Sequence, residues 1–183
     1  MKTKKSRRVS RKTGQASKKT GRQEKILRHI YEYPEGQFST RELAKCLGIS
    51  RSTVQHYLQV LRKENIISQK NEWIDSWNNK VLKSQYYVTL IMRSGLVEFL
   101  EEELAASAVI LFGSFSKGDS VKESDIDIFV QCARERKLDL SAFEKKLGHS
   151  IELFTRKKVT LLPKHLLNNV VNGVKLKGYF TVK

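Results

Sequence analysis

The chain has 183 residues, of which 39% are hydrophobic and 30% charged, enough for one medium or two small globular domains. Its 35 Lys and Arg outnumber 19 Asp and Glu, and the net charge of +16 favours a polyanionic partner such as nucleic acid. The sequence has neither a run of roughly 20 apolar residues that could cross a bilayer nor the apolar core of a secretory signal. We therefore expect a cytoplasmic protein that makes no membrane contact.

The positive charge is concentrated in the first half of the chain. Residues 1–90 contain 20 Lys and Arg and 7 Asp and Glu, whereas residues 91–183 contain 15 and 12. Residues 1–24 alone contain ten Lys and Arg and almost no side chain that could be buried. Such a segment cannot offset the entropy of ordering, so we expect a basic flexible arm. The arm either neutralises nucleic-acid phosphates or serves only as a solubilising tail.

Three short helices are predicted after this arm. The first starts at Lys25, the second has a capping box at Ser39–Glu42 and ends at Gly48, and the third begins at Ser50. In the third helix apolar residues recur at i, i+3, i+4 and i+7 from Val54 onward. Two helices joined by a glycine turn form a helix-turn-helix, whose second helix presents polar side chains to DNA base edges. The candidate DNA-binding residues are therefore Arg51, Ser52, Gln55, His56, Gln59 and Arg62.

A β-hairpin is predicted after the helix-turn-helix. The chain alternates through Trp73, has a turn signal at Asn78 and Asn79, and returns through Val81 to Val88. Residues 39–67 resemble the helix-turn-helix of winged-helix transcription regulators, and with its flanks the resemblance covers residues 25–90. It implies DNA binding, and the alternative is a helix-turn-helix that only dimerises or docks to another protein.

An amphipathic helix is predicted between the two halves, over residues 94–106. Leucine and valine side chains recur there at helical spacing, with four glutamates between them. We expect the apolar stripe to pack beneath a sheet and the glutamates to face solvent.

The most informative stretch follows this helix. An apolar run over residues 109–112 stops at Gly113 and Ser114, and a second apolar run is interrupted by Asp125 and Asp127. This pattern predicts a strand, a tight turn, a short helix and a strand. Because alternate side chains of a strand share a face, the two carboxylates point the same way, and their repulsion is relieved by Mg²⁺, which prefers oxygen ligands. The glycine turn favours close approach of phosphates.

These residues resemble a known signature. Gly113-Ser114, Gly118 and Ser124-Asp125-Ile126-Asp127 are similar to the motif of the DNA polymerase β-like nucleotidyltransferase superfamily, most of all its minimal nucleotidyltransferase branch. The resemblance covers roughly the last half of the chain. It implies that Gly113, Ser114 and Lys117 bind a nucleoside triphosphate (NTP), with Lys117 where close relatives often have arginine. It also implies that Asp125 and Asp127 are catalytic and hold Mg²⁺ in a two-metal site.

A third carboxylate belongs to this site in the family, on a neighbouring strand. The next predicted strand covers residues 150–154, and Glu152 is its only acid. Glu152 is therefore our candidate third catalytic residue and metal ligand, in place of the usual aspartate, and Asp139 in the preceding loop is the alternative. We expect the nearby His149 to lie on a solvated rim. A helix opening at Pro163 and a final strand complete the domain.

Together these predictions describe an α+β chain with three parts: a basic arm (1–24), a winged helix-turn-helix domain (25–90) and a minimal nucleotidyltransferase domain (91–183) whose mixed β-sheet is flanked by helices. The resemblance implies Mg²⁺-dependent transfer of a nucleoside monophosphate from an NTP to a hydroxyl acceptor on or near DNA. The small domain implies an acceptor pocket completed by another subunit, as in a homodimer, or by a partner. Relatives often nucleotidylylate a toxin, which implies a toxin-like protein acceptor. The alternative is a DNA-binding transcriptional regulator whose nucleotidyltransferase-like domain only senses nucleotide or mediates assembly.

Overall fold

The computed structural model describes residues 21–179, and the chain divides into two compact units between Ile74 and Asp75. The predicted arm falls outside the described residues up to residue 20, while residues 21–24 already belong to a helix. Within the described part, no helix is long and apolar enough to span a membrane.

The first unit is a small helical domain. Its described helices are α1 (residues 21–32), α2 (Thr40–Leu47) and α3 (Arg51–Lys63). The predicted capping box is present, since the Ser39 hydroxyl accepts from Glu42 N at 3.1 Å and donates to the Glu42 carboxylate at 2.7 Å. Gly48 ends α2 with φ of 63°, a left-handed conformation that glycine adopts without strain. The apolar faces of all three helices meet in one core around Ile30, Val54 and Leu58.

The predicted β-hairpin over residues 73–88 is wrong. Between α3 and α4 the described chain pairs only through the bridges Ile67–Trp73 and Gln37–Glu72, and residues Trp77–Ser94 form helix α4. The hydroxyl of Ser76 caps this helix by accepting from Asn79 N at 3.3 Å, so the two asparagines begin a helix rather than a turn. Buried positions recur every three or four residues along α4. Burial at helical spacing therefore overrides the strand preference of its valines and tyrosines.

The second unit is an α+β domain built on a four-stranded mixed sheet. Its strands are β1 (Ala106–Phe112), β2 (Ile126–Cys132), β3 (Ile151–Arg156) and β4 (Val174–Gly178). Its described α-helices are α4, α5 (Leu96–Leu104), α6 (Gly113–Lys117), α7 (Ser141–Leu147) and α8 (Lys164–Val171). The strand order is β3-β2-β1-β4; β1 is antiparallel to both of its neighbours, and β2 and β3 are parallel. The predicted fold class, α+β with a mixed sheet flanked by helices, is confirmed.

The predicted amphipathic helix is α5, which packs against β1 with Leu96, Leu100 and Leu104 fully buried. Its acidic face is not wholly solvated, because Glu101 pairs with Lys177 and Glu103 pairs with Arg136. The helix therefore joins the two sides of the domain through charge pairs as well as through its apolar stripe. Each of these partly exposed ion pairs contributes little to the stability of the domain.

Candidate active site

The bend after β1 lies directly against the carboxylate of Asp127. Gly113 has φ of 69°, and a Cβ placed there would lie 2.8 Å from Asp127 Cγ and closer still to Oδ2. Only glycine therefore fits between the end of β1 and this side chain. The contact follows from strand register, because Phe112 pairs with Asp127 across the antiparallel β1–β2 ladder. The predicted strand, turn, short helix and strand are all present at the predicted positions.

Glu152 lies beside Asp127 on the adjacent parallel strand. The two residues are paired in the β2–β3 register, which brings their carboxyl groups close together. Burial raises the pKa of Asp127 to about 6, and the charges of Glu152 and Asp125 add to the rise. Three acidic side chains thus concentrate negative charge at one end of β2.

These carboxylates match Mg²⁺ in donor chemistry, since hard cations take oxygen ligands. Among the residues that the structure describes, no three His, Cys, Asp or Glu side chains are already arranged around one point. Asp125 and Glu152 are exposed, so rotation of their side chains is the change that binding of a cation would require. Burial and the neighbouring charges of Glu152 and Asp125 raise the pKa of Asp127, and a bound cation would favour its ionised form.

The other predicted nucleotide-binding residues lie along α6. Ser114 is half-buried in the first turn, next to Gly113, and Lys117 is exposed in the last turn. Gly118, just after α6, packs on helix α4: a Cβ there would lie 2.7 Å from Lys80 Cα. The glycine therefore lets α4 approach the end of α6.

Two residues near the site were missed or misplaced from sequence. His149, expected on a solvated rim, is only 6% exposed; its Nδ1 lies 3.0 Å from Ser124 O, and its ring contacts the edges of Tyr87 and Phe115. Lys83 of α4 is 1% exposed, and its ammonium donates to Ser120 O. No local pattern could have found either residue, because each acts on a segment distant in sequence.

Asp139, the alternative third carboxylate, has another role. Its Oδ1 accepts from Ser141 N at 3.0 Å, and this bond at the start of α7 lowers the pKa of Asp139. Asp139 lines a cavity of about 360 Å³ on the outer side of β3, together with Arg136 and Thr155. The structure thus places Glu152, not Asp139, beside Asp127.

A second cavity, of about 350 Å³, adjoins Asp125. It is lined by Lys122, Glu144, His149 and Ser150 among others, at the turn between α7 and β3. Asp125 therefore stands between this cavity and the carboxylate of Asp127 that packs on the glycine bend.

In the first unit, five of the six candidate DNA-binding residues are exposed on α3: Arg51, Ser52, Gln55, His56 and Gln59. Arg62 differs, because its Nε and Nη2 donate to Asn71 Oδ1 at 2.9 and 2.6 Å. Asn71, with φ of 61°, lies in the turn closed by the Ile67–Trp73 bridge. The guanidinium of Arg62 therefore stabilises this turn, and the polar face available to DNA is the earlier part of α3.

Comparison with known proteins agrees with this division. The family described as "Polymerase beta, Nucleotidyltransferase" matches residues 95–173, and the family described as "HTH domain" matches residues 22–72. A protein of Methanocaldococcus jannaschii, provisionally named a protein adenylyltransferase, is 30% identical over 69 residues, which cover 34% of this chain and 69% of that relative. The chain belongs to the polymerase β nucleotidyltransferase family. No solved structure is a significant match.

Membership in this family explains the arrangement in the second unit. The family match spans the glycine bend and all three carboxylates, so a nucleotidyltransferase domain is present and supports nucleotide binding. The helix-turn-helix match spans α1 to α3 and the short bridges that follow, and it supports DNA binding by the first unit. The polymerase β nucleotidyltransferase resemblance and the helix-turn-helix resemblance inferred from sequence are both confirmed.

Proposed function

We propose that this polymerase β family protein transfers a nucleoside monophosphate from an NTP to a hydroxyl acceptor, with Mg²⁺, while its first unit binds DNA. The observation that supports this most directly is the packing of Asp127 against Gly113 with Glu152 alongside. It brings the glycine bend and a cluster of oxygen ligands to the same place.

In this proposal the backbone at Gly113 and the hydroxyl of Ser114 bind the phosphates, and Lys117 adds positive charge at the other end of α6. Asp125, Asp127 and Glu152 would hold Mg²⁺, which would supply positive charge against the phosphates and the departing pyrophosphate. The acceptor oxygen attacks the α-phosphorus in line, a P–O bond forms, and the bond to the pyrophosphate breaks. Glu152, at the exposed edge of the cluster, takes up the hydroxyl proton. Positioning supplies most of the rate enhancement.

We further propose that the acceptor is a protein and the donor ATP, because the similar M. jannaschii protein is provisionally named a protein adenylyltransferase. The cavity beside Asp125 is the place where an acceptor side chain would approach. A toxin-like partner and a second copy of the chain are both candidate sources of that side chain.

Transfer of label from each α-labelled NTP, in Mg²⁺ and with candidate acceptor proteins, tests this proposal. Wild type should transfer label, and Asp125→Asn, Asp127→Asn and Glu152→Gln should lose about 100-fold or more of the rate, because charge neutralisation at a phosphoryl centre is worth several kcal/mol. Glu98→Gln, an exposed acid on α5, is the matched control and should retain the wild-type rate. Equal transfer by Asp127→Asn and wild type would refute the assignment.

The second candidate function is a DNA-binding regulator that senses a nucleotide without transferring it. The specific observation in its favour is that the described carboxylates are not preassembled around one metal position. NTP-dependent changes in DNA affinity with no label transfer to any acceptor would establish this alternative.

A further inference from the structure

Helix α4 buries a lysine against the segment that leads into the candidate active site. Lys83 and Ser120 are each 1% exposed, and the ammonium of Lys83 donates to the carbonyl of Ser120. Burying a cation is costly unless it is hydrogen-bonded or paired. Burial lowers the pKa of Lys83 to about 8, while the charges of Asp119 and Asp75 oppose this and that of Lys80 adds to it. The contact is thus a specific polar one in an otherwise packed region.

Three more contacts join α4 to the same short segment. The hydroxyl of Ser84 donates to Ser116 O at 2.9 Å, and Lys80 Nζ lies 2.9 Å from Asp119 Oδ1. Gly118 completes the set, because its missing side chain lets it pack on the backbone of Lys80. Helix α4 therefore binds residues 116–120 through two backbone carbonyls, one carboxylate and one close backbone approach.

The far end of this connection is held by the turn before β3. Val121 N donates to the Ser124 hydroxyl at 2.9 Å, and the carbonyl of Ser124 lies 3.0 Å from His149 Nδ1. Ile126 N donates to Ser150 O at 2.8 Å. The path from the glycine bend to Asp125 is therefore fixed at residues 116–120 by α4 and at residues 124–126 by the turn before β3.

We propose that Lys83 is a positioning residue for nucleotidyl transfer: by holding Ser120 O it sets the course of residues 118–125 and thus the distance between Asp125 and the bend at Gly113. This inference rests on the proposed function. Without Lys83, the buried carbonyl of Ser120 loses its donor, and a backbone group left unsatisfied in this way is displaced toward a new partner. Asp125, only five residues further on, is then held only from the side of the turn before β3, so its position relative to Gly113 is less fixed.

The test compares NTP binding with and without Mg²⁺ in the full chain. The probe is whichever of ATP, GTP, CTP and UTP wild type binds most tightly, measured by calorimetry in MgCl₂ and again in EDTA. Lys83→Met should weaken binding in Mg²⁺ about tenfold or more, which corresponds to one lost hydrogen bond to a charged group. Binding in EDTA should change much less, because Asp125 acts only through the cation. Ser84→Ala, a milder change, should reduce the Mg²⁺-dependent gain a few-fold.

Arg93→Met is the matched control, since Arg93 is an exposed cation near the other end of α4. It should keep both affinities. In nucleotide-free protein, amide hydrogen exchange at Val121 and Ile126 should be faster in Lys83→Met than in Arg93→Met.

The outcomes separate the two levels of the proposal. If wild type binds no NTP in Mg²⁺, the proposed function fails and the positioning role fails with it. If wild type binds NTP and Mg²⁺ increases the NTP affinity of Lys83→Met as much as that of wild type, while only the melting temperature falls, Lys83 is a packing residue. The positioning role alone is then overturned. If Lys83→Met does not fold, Ser84→Ala takes its place. A Ser84→Ala variant whose NTP affinity increases in Mg²⁺ as much as that of wild type then overturns the positioning role.

Discussion

Replacing Asp127 by Asn should make the metal-free protein more stable while it abolishes Mg²⁺-dependent NTP binding. The pKa of Asp127 is raised from its ordinary value of 3.8 to about 6, by burial first and then by the charges of Glu152 and Asp125. At about 1.4 kcal/mol per tenfold change in proton affinity, the full difference is about 3 kcal/mol. Because the side chain is partly exposed, solvent screening reduces the expected effect to about 1 kcal/mol.

The sign follows from proton linkage. A carboxyl whose pKa is raised on folding binds its proton more tightly in the folded state, so folding is penalised as pH rises from about 4 to above 6. Below that window wild type and Asp127→Asn should be equally stable, and above it the variant should be about 1 kcal/mol more stable. The free energy of unfolding of both proteins is measured by urea titration in EDTA at pH 4 and pH 8. Unfolding is followed through the NMR amide signals of Phe129 and Val130, which are buried in β2.

Glu98→Gln serves as the control for charge removal, because Glu98 is exposed on α5. It should show no pH-dependent gain between pH 4 and pH 8. The reasoning is refuted if Asp127→Asn is less stable than wild type at pH 8, or if its advantage is the same at both pH values.

Three further outcomes follow from the structure. Gly113→Ala should weaken NTP binding about tenfold or more, measured by calorimetry, because its Cβ displaces the Asp127 carboxylate. Gly48→Ala, also at positive φ but with open space around it, should only lower stability in thermal melts, by about 1 kcal/mol of backbone strain. Equal NTP affinity in both variants would contradict the contact between Gly113 and Asp127. Arg51→Met should weaken DNA binding, measured by fluorescence anisotropy, and reduce the slope of log affinity against log salt concentration by about one. Arg62→Met should mainly lower stability, by about 1 kcal/mol, because its hydrogen bonds to Asn71 are lost. A larger effect of Arg62→Met than of Arg51→Met on DNA affinity would contradict this. Burial lowers the pKa of Lys83 to about 8, so unfolding takes up a proton between about pH 8 and 10.5, and wild type should gain stability relative to Lys83→Met across that window in urea titrations.

Sequence patterns were sufficient where local chemistry decides the structure. The interruption of an apolar run at Gly113 predicted the bend, and simple alternation predicted the strand containing Glu152. The pairing of Asp127 with Glu152 then followed once the two strands proved to be neighbours. The bend and the strand depend on residues within a few positions of one another, which is the range over which periodicity and turn signals act, whereas the pairing of Asp127 with Glu152 is tertiary.

Helix α4 was misassigned because its decisive interactions are tertiary. Valines and tyrosines favour strands, and Asn78 and Asn79 favour turns, so the local signals pointed away from a helix. What fixes the helix is the burial of Tyr87, Ile91 and Lys83 against elements later in the chain. The same holds for His149, whose partner Ser124 is 25 residues away. Local patterns cannot report such contacts.

The position of β4 in the sheet has a consequence for biosynthesis. Central strand β1 takes its second neighbour from β4, the last of the four strands to leave the ribosome, whereas the first unit is complete by Ile74. The helix-turn-helix unit can therefore acquire its structure while the sheet still lacks its last strand, since domains fold as units during synthesis and distant pairings form late. A nascent chain would then be able to bind DNA before it is able to bind a nucleotide.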